Sequence, residues 1–342
     1  MLRQSLLYLS ESHAAQRVVT GSPISRRMAE RFVAGDTVDK AVEAARELNR
    51  AGLSVSLDYL GESVSSREEA EAGADMAVHL VERIAAEGIE ANISVKPTQL
   101  GLDIDEDFCR ANVERVLSRA RELGDGEGEI FVRLDMESSH YTERTVALTE
   151  ALWEAGYHNV GTVLQSYLRR TPEDVERLMG LGSRIRLVKG AYKEPETVAF
   201  PEKADVDRMF VEEMQTLLAR GNYPAIATHD EAIIDATRRF AWEHGVSKDA
   251  FEFQMLYGIR RDLQTRLREE GYNVRVYVPF GDSWYPYLMR RLAERPANVL
   301  FIAGSIARES PLHRLANPVA IGAGVVAGAL LGMAFRNRRG SR

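Results

Sequence analysis

Past Gly52 the chain alternates between short runs of β-branched and aromatic residues and longer charged stretches in which apolar residues recur every three or four positions. The apolar runs are LSVSLDYLG, ANISVKPTQLG, GEIFVRLDME, NVGTVLQSYL, RIRLVKGAY, PAIATHD, FEFQMLYG and NVRVYVPFG. Between them lie stretches of helical period such as REEAEAGADMAVHLVERIAAEG, EDFCRANVERVLSRARELG, TERTVALTEALWEAG, DRMFVEEMQTLLARG and DEAIIDATRRFAWEHG, several closed by glycine as helix C-termini are. The alternation marks repeated βα units. Eight such pairs in roughly 250 residues fit a (β/α)8 TIM-type barrel of the α/β class. A doubly wound sheet has fewer strands and places its ligand after a Gly-rich first turn, which is absent here.

Ahead of the barrel, SRRMAERFVA and TVDKAVEAARELNRAG read as amphipathic helices, the second opened by Thr37 as N-cap and closed by Gly52. The predicted organisation is an N-terminal helical arm (1–52), the barrel (53–307) and an apolar, basic C-terminal tail (308–342). The first residues carry an apolar stretch too short for a secretory signal and no small-residue cleavage site, which points to the cytoplasm. The tail runs uncharged from Pro318 to Phe335 and then carries Arg336, Arg338 and Arg339. As a helix that run would reach roughly 27 Å, enough to cross a bilayer core, and Gly324, Gly328 and Gly332 repeat the small-xxx-small spacing of packed membrane helices. Its many Gly and Ala residues and the position of the arginines weigh against a span. The expectation is membrane contact through 318–335.

Composition narrows the function. Hydrophobic residues make up 45% of the 342 and charged ones 28%, as in a globular enzyme with a large core. A formal charge of -7 argues against a nucleic-acid partner. The lone cysteine, Cys109, sits at an apolar position of a helical pattern and is expected in the core; it excludes internal disulfides and cysteine clusters. The acids and histidines show no HxH or HExxH spacing, so no metal is expected. The Gly-rich stretches Gly124–Glu129 and Gly322–Gly328 fail as nucleotide loops: the first carries repelling acids, and the second has no strand before it and no acid about 20 residues on.

A barrel places its chemistry at the C-terminal ends of its strands. The residues read there are Asp58, Lys96, Asp135, Gln165, Lys189, His229, Gln254 and Tyr277. One polar residue at a strand end is ordinary solvation; one in every unit is a pattern. In the last unit, VRVYVPFGDSWYPYLMRRLAE, Tyr287 stands three and four residues before Arg290 and Arg291, with Glu294 placed to hold a guanidinium. Most RR pairs are solvated, but paired guanidiniums among Tyr277, Tyr285 and Tyr287 suit a carboxylate or phosphate. In RIRLVKGAYKE, alternation sends Arg186 and Val188 to one face and Leu187 and Lys189 to the other, while Gly190 and Ala191 allow a flat ring near the backbone. Lys189 could equally be a Schiff-base nucleophile. Asp135 and Glu137 share a face, open to a site role or to simple pairing with Lys96. His229 beside Thr228 could bond a ribose, a phosphate or its own neighbours.

Taken together, DYLGE, SVKPTQLG, RLDME, RLVKGAY, ATHD, FQMLYG, VRVYVPFG and YLMRRLAE resemble the proline dehydrogenase family, flavoenzymes that oxidise L-proline to 1-pyrroline-5-carboxylate. The resemblance covers roughly Leu53 to Ile302, and RLVKGAY with YLMRRL is its most specific part. It implies that Lys96, Arg290 and Arg291 hold the proline carboxylate, with Tyr277, Tyr287, Leu256 and Ala191 around the ring. It implies a pocket aspartate in Asp135, and in Arg186 the arginine that addresses the reactive nitrogen edge of the flavin. Met136, Gln165, Arg186, Val188, Lys189, Gly190, Thr228 and His229 would contact FAD, which in this family lies in the barrel mouth. Tyr257, where bifunctional members carry histidine, and Lys193, where they carry an aromatic residue, point to the monofunctional branch. Electrons would pass to quinone, and the product to a separate pyrroline-5-carboxylate dehydrogenase. The competing readings are another barrel flavoenzyme, an aldolase using Lys189 or Lys96, and a non-catalytic, membrane-tethered imino-acid binding protein.

Overall fold

The computed structural model describes residues 29–61, 64–124 and 129–294. They divide into two compact units, Arg31–Trp284 and a second drawn from the flanking residues, of which 29–30 and 285–294 are described. The order is α1 (Val38–Arg50), β1 (Ser54–Tyr59), α2 (Arg67–Glu87), β2 (Ala91–Val95), a 3-10 turn (Pro97–Leu100), α3 (Glu106–Glu122), β3 (Val132–Leu134), α4 (Ser139–Glu154), β4 (Val160–Gln165), α5 (Thr171–Leu181) and β5 (Ile185–Val188). Then come α6 (Lys203–Arg220), β6 (Ala225–Ala227), α7 (Glu231–Glu243), β7 (Glu252–Leu256), α8 (Arg261–Glu269), β8 (Asn273–Phe280) and α9 (Trp284–Glu294). The eight strands pair in parallel and in sequence order, and β1 closes on β8 from Ser54↔Arg275 to Tyr59↔Phe280. This is the (β/α)8 barrel, and each expected apolar run contains its strand.

Alternation explains why these runs curl into a closed sheet. Val55 and Leu57, Ile93 and Val95, Val132 and Leu134, Phe253 and Met255 belong to the core that the helices cover with residues such as Ala74, Leu80, Val113 and Leu117. The alternate positions are just as buried, yet they are polar: Ser56, Asp58, Ser94, Arg133, Arg186, Glu252 and Gln254. Burying so much charge requires pairing. Toward the strand beginnings, Arg275 Nε lies 3.0 Å from both carboxylate oxygens of Glu252 and its NH1 donates to Val55 O at 2.8 Å. Burial raises the Glu252 carboxyl, but Arg275, with Gln254 and Arg133, outweighs it and the group titrates below its ordinary value. Gln254, expected at a strand end, lies within β7 and donates to Glu252 instead.

Arg133 donates to Thr162 O at 3.1 Å and to Arg184 O, its guanidinium 4.7 Å from the Phe131 ring centroid. Facing it across the ladder is Gly161, where a Cβ would fall 2.2 Å from Arg184 O and 3.2 Å from Arg133 NH1. Glycine is what lets a guanidinium lie in this layer. Cys109 is fully buried and its thiol is pushed up to about 12, chiefly by that burial.

Helix starts are capped as their sequences suggest: Thr37 accepts from Lys40 N, Ser66 from Glu69 N, and Asp105 from Phe108 N. The start of α4 differs, because Ser138 makes no side-chain cap. Its first residue, Ser139, donates N–H and hydroxyl to Glu194, on the loop after β5. Residues 31–35 lie against the ends of β7 and β8: Ala34 N donates to Pro279 O, and a Cβ on Gly258 would meet Arg31 O at 1.8 Å. Among the described residues no helix is long and apolar enough to cross a membrane. The tail 308–342, the start of the N-terminal arm and residues 125–128 of the acidic glycine turn lie outside the described residues.

Gly161→Ala is expected to lower stability by about 1–3 kcal/mol, as overpacking does. Gly180→Ala, at an exposed helical site with nothing within 4 Å of the added methyl, is expected to raise it by up to about 1 kcal/mol. Paired thermal melts followed by circular dichroism check both signs.

Candidate active site

The mouth of the barrel is built around Asp135, the first residue after β3, whose N–H is tied to Val95 O at 2.8 Å. Oδ1 accepts from Arg186 NH1 at 2.8 Å and Oδ2 from the Tyr277 hydroxyl at 2.7 Å. Arg186 extends from β5 across the barrel, so that NH2 reaches Ser94 Oγ on β2 at 3.1 Å and Ser56 Oγ on β1 at 3.4 Å. Its guanidinium carbon lies 5.3 Å from the Tyr277 ring centroid. Lys96 Nζ is 2.9 Å from Asp58 Oδ1 and 3.8 Å from Asp135 Oδ2. Burial raises the Asp58 carboxyl above its ordinary value against the lowering pull of Lys96. Burial, then Asp135 and Asp58, push the Tyr277 hydroxyl well up, so it stays a donor. Two acids and two bases leave this tetrad formally neutral.

Tyr277 is not at a strand end, as expected, but within β8, opposite Ser56; its length carries the hydroxyl up to Asp135. Lys189 leaves β5 on the other face from Arg186 and lies between Asp207 Oδ1 at 2.6 Å and Asp230 Oδ2 at 2.9 Å. Gly190 follows with φ +110, and a Cβ there would fall 2.2 Å from the Tyr167 ring, so the close approach it permits is Tyr167's. Thr228 Oγ1 accepts from Asp230 N, and His229 Nε2 accepts from Leu256 N at 2.9 Å. Gln165 Nε2 donates to Glu137 O at 2.8 Å and, more weakly, to Met136 O, while Glu137 itself holds the hydroxyl of Thr98. In the second unit, α9 carries Tyr287, Arg290 and Arg291 on one side, with the Arg291 guanidinium 5.1 Å from the Tyr287 ring centroid. The side chain of Glu294 lies outside the described residues.

The comparisons with known proteins agree with this geometry. The family model for proline dehydrogenase matches residues 41–304. The chain belongs to the proline dehydrogenase family. Among its relatives, Proline dehydrogenase 2 of Bacillus subtilis is 42% identical over 87% of this chain and 96% of its own. Proline dehydrogenase of Deinococcus radiodurans is 46% identical over 80% of this chain and 88% of its own. Among solved structures, proline utilization A of Bdellovibrio bacteriovorus, inactivated by N-propargylglycine, superposes with a TM-score of 0.74 at 27% identity over 86% of this chain and 36% of that one. The chain thus spans about a third of that solved relative and nearly the whole of the monofunctional proline dehydrogenases, and it is a proline-oxidising enzyme of their kind.

Within that family setting, Ser56 and Ser94 are the site residues that the strand ends did not mark. Their signal was the alternation itself, since Ser56 and Asp58, Ser94 and Lys96, Arg133 and Asp135 are successive positions of the inner face. Asp207 and Asp230, at the starts of α6 and α7, had no comparable signal.

Burial raises both Asp207 and Asp230, but Lys189, joined by Lys203, outweighs it and holds each below the ordinary aspartate value of 3.8. A depressed carboxyl stabilises the fold fully above the unfolded value and loses that contribution as pH falls through the folded one. Lys189→Met is therefore expected to lower the melting temperature at neutral pH, with the gap to wild type closing below about pH 4. A pH series of melts reads this out.

Proposed function

We propose that the barrel mouth oxidises L-proline to 1-pyrroline-5-carboxylate with FAD as the bound cofactor, within a catalytic unit of residues 53–307. The observation that carries this reading is the tetrad of Asp58, Lys96, Asp135 and Arg186, which presents oriented cations at a buried mouth without spare charge. Two orphaned polar atoms at the same mouth support a flavin ring, which offers both donors and acceptors. Arg186 Nε and Gln165 Oε1 are buried without a hydrogen-bond partner. A group with complementary edges would satisfy both. Met136, Gln165, Arg186, Val188, Lys189, Gly190, Thr228 and His229 would hold it. When bound, FAD supplies the hydride acceptor.

The chain's own task is positioning. A carboxylate brought to a neutral tetrad calls for added positive charge, and Arg290 and Arg291, assigned by resemblance, join Lys96 in supplying it. Guanidiniums meet both carboxylate oxygens at once. By the same resemblance, Tyr277, Tyr287, Leu256 and Ala191 are assigned to the substrate ring. Asp135 orients the cations rather than taking a proton, and proline enters with its amine already deprotonated. Quinone as electron acceptor, and a separate pyrroline-5-carboxylate dehydrogenase for the product, complete the scheme. It operates in the cytoplasm, with membrane contact through 318–335.

Purified protein is expected to show a flavin spectrum that proline bleaches, with proline-dependent reduction of a quinone analogue; a protein without either excludes this reading. Arg290→Lys and Arg291→Lys are expected to raise the proline Michaelis constant roughly tenfold with a smaller effect on kcat, since lysine lacks the bidentate fork. Proline saturation unchanged in both variants removes the arginine assignment. Full-length protein is expected partly in the membrane fraction, and protein lacking 316–342 wholly in the soluble one; identical distribution of the two refutes the contact.

A further inference from the structure

Asp58 enters the proposal above only as a balancing charge, yet it is among the most deeply buried charged groups of the barrel mouth. Its side chain is 1% exposed and that of Lys96 is 7% exposed. The backbone of Lys96 is fixed from the other side, because its carbonyl accepts from Gln99 N at 3.0 Å and Leu100 N at 3.2 Å in the turn after β2. What remains to be fixed is where the long side chain puts its ammonium. Asp135 is poorly placed for that work: Oδ1 is taken by Arg186, Oδ2 by Tyr277, and Lys96 stands 3.8 Å away, beyond hydrogen-bond range. Asp58 accepts from Nζ at 2.9 Å.

We propose that Asp58 is a positioning residue for substrate binding, acting through Lys96: it fixes the ammonium that meets the substrate carboxylate and holds it apart from Asp135. The inference rests on the assignment of Lys96 to that carboxylate. Among the described residues, the charged and titratable groups around the ammonium include Asp58 from β1, Asp135 after β3, Arg186 from β5 and Tyr277 from β8. Without Asp58 the ammonium is drawn to Asp135, where it competes with Arg186 and Tyr277. Burial then disfavours the charged lysine, since its closest counter-charge is gone.

This yields a sign that simple charge counting does not. Asp58→Asn makes the mouth more positive by one charge, and on that ground alone an anionic substrate should bind more tightly. The positioning role requires the opposite. In Asp58→Asn the proline Michaelis constant is expected to rise roughly tenfold or more, as when a hydrogen bond to a buried charge is lost, with kcat less affected. The alkaline limb of kcat/KM is expected to move to lower pH as Lys96 loses its proton more readily. In a Lys96→Met background the same substitution is expected to add almost nothing, because Asp58 then has no lysine to position.

An unchanged or lower Michaelis constant in Asp58→Asn overturns the proposal, as does an effect of equal size in the Lys96→Met background. If Asp58→Asn does not melt cooperatively or bind flavin, Asp58→Asn/Lys96→Met, which removes both charges, decides. Recovery of folding with the kinetics of Lys96→Met supports the proposal, and failure of the double variant overturns it. Wild-type protein that does not reduce dye with proline defeats the functional reading itself. Wild-type activity with an indifferent Asp58→Asn defeats only the role given to Asp58.

Discussion

The hydrogen bond and ion pair between Arg186 and Asp135 is the constraint on which the barrel mouth depends. A guanidinium that starts on β5 and ends against β1, β2 and β3 ties opposite walls of the barrel together. It is possible only because the inner face is polar throughout. Arg275 with Glu252 forms the layer beneath, and Arg133 is set into the wall beside Gly161. Branched aliphatics are the usual filling of such a barrel. Here they line the outer face of the strands, and the interior carries buried charges held by ion pairs or, for Arg133, by backbone carbonyls, so that none moves singly without stranding a partner.

Much of this was legible from the sequence, and the remainder was hidden for identifiable reasons. The strands announced themselves through Val, Ile, Leu and Phe on their outer faces. The helices α2, α3, α4, α6 and α7 announced themselves through period. The helices α5 and α8 were not singled out; α8 buries only Leu263, Gln264 and Leu267 within a strongly charged segment, too little apolar surface to make a pattern. The site residues named by strand end or by resemblance include all four members of the network around Asp135. What no linear reading supplied was commitment: that Lys96 pairs with Asp58 more closely than with Asp135, that Lys189 is held by acids from two helices, and that Gly190 makes way for Tyr167. Each of these depends on side-chain length and direction across a closed sheet, which spacing does not encode.

The neutrality of the tetrad also gives the site its division of labour. Groups on the barrel strands are balanced among themselves, so they define geometry rather than net attraction. In the proposed reading, any added positive charge for an anionic substrate is supplied by residues other than this balanced set.

The cap of α4 has a consequence for how the protein is made. Glu194, which receives the N–H and hydroxyl of Ser139, is 55 residues further along the chain. During synthesis, which proceeds at roughly 5–20 residues per second, α4 therefore emerges several seconds before its own cap exists. Its first turn is completed only after β4, α5 and β5 have been added and the following loop has folded back. A half-barrel ending before that loop is left with an unfinished helix at its rim, and the arrival of that loop, rather than any local signal, sets when this part of the mouth becomes rigid.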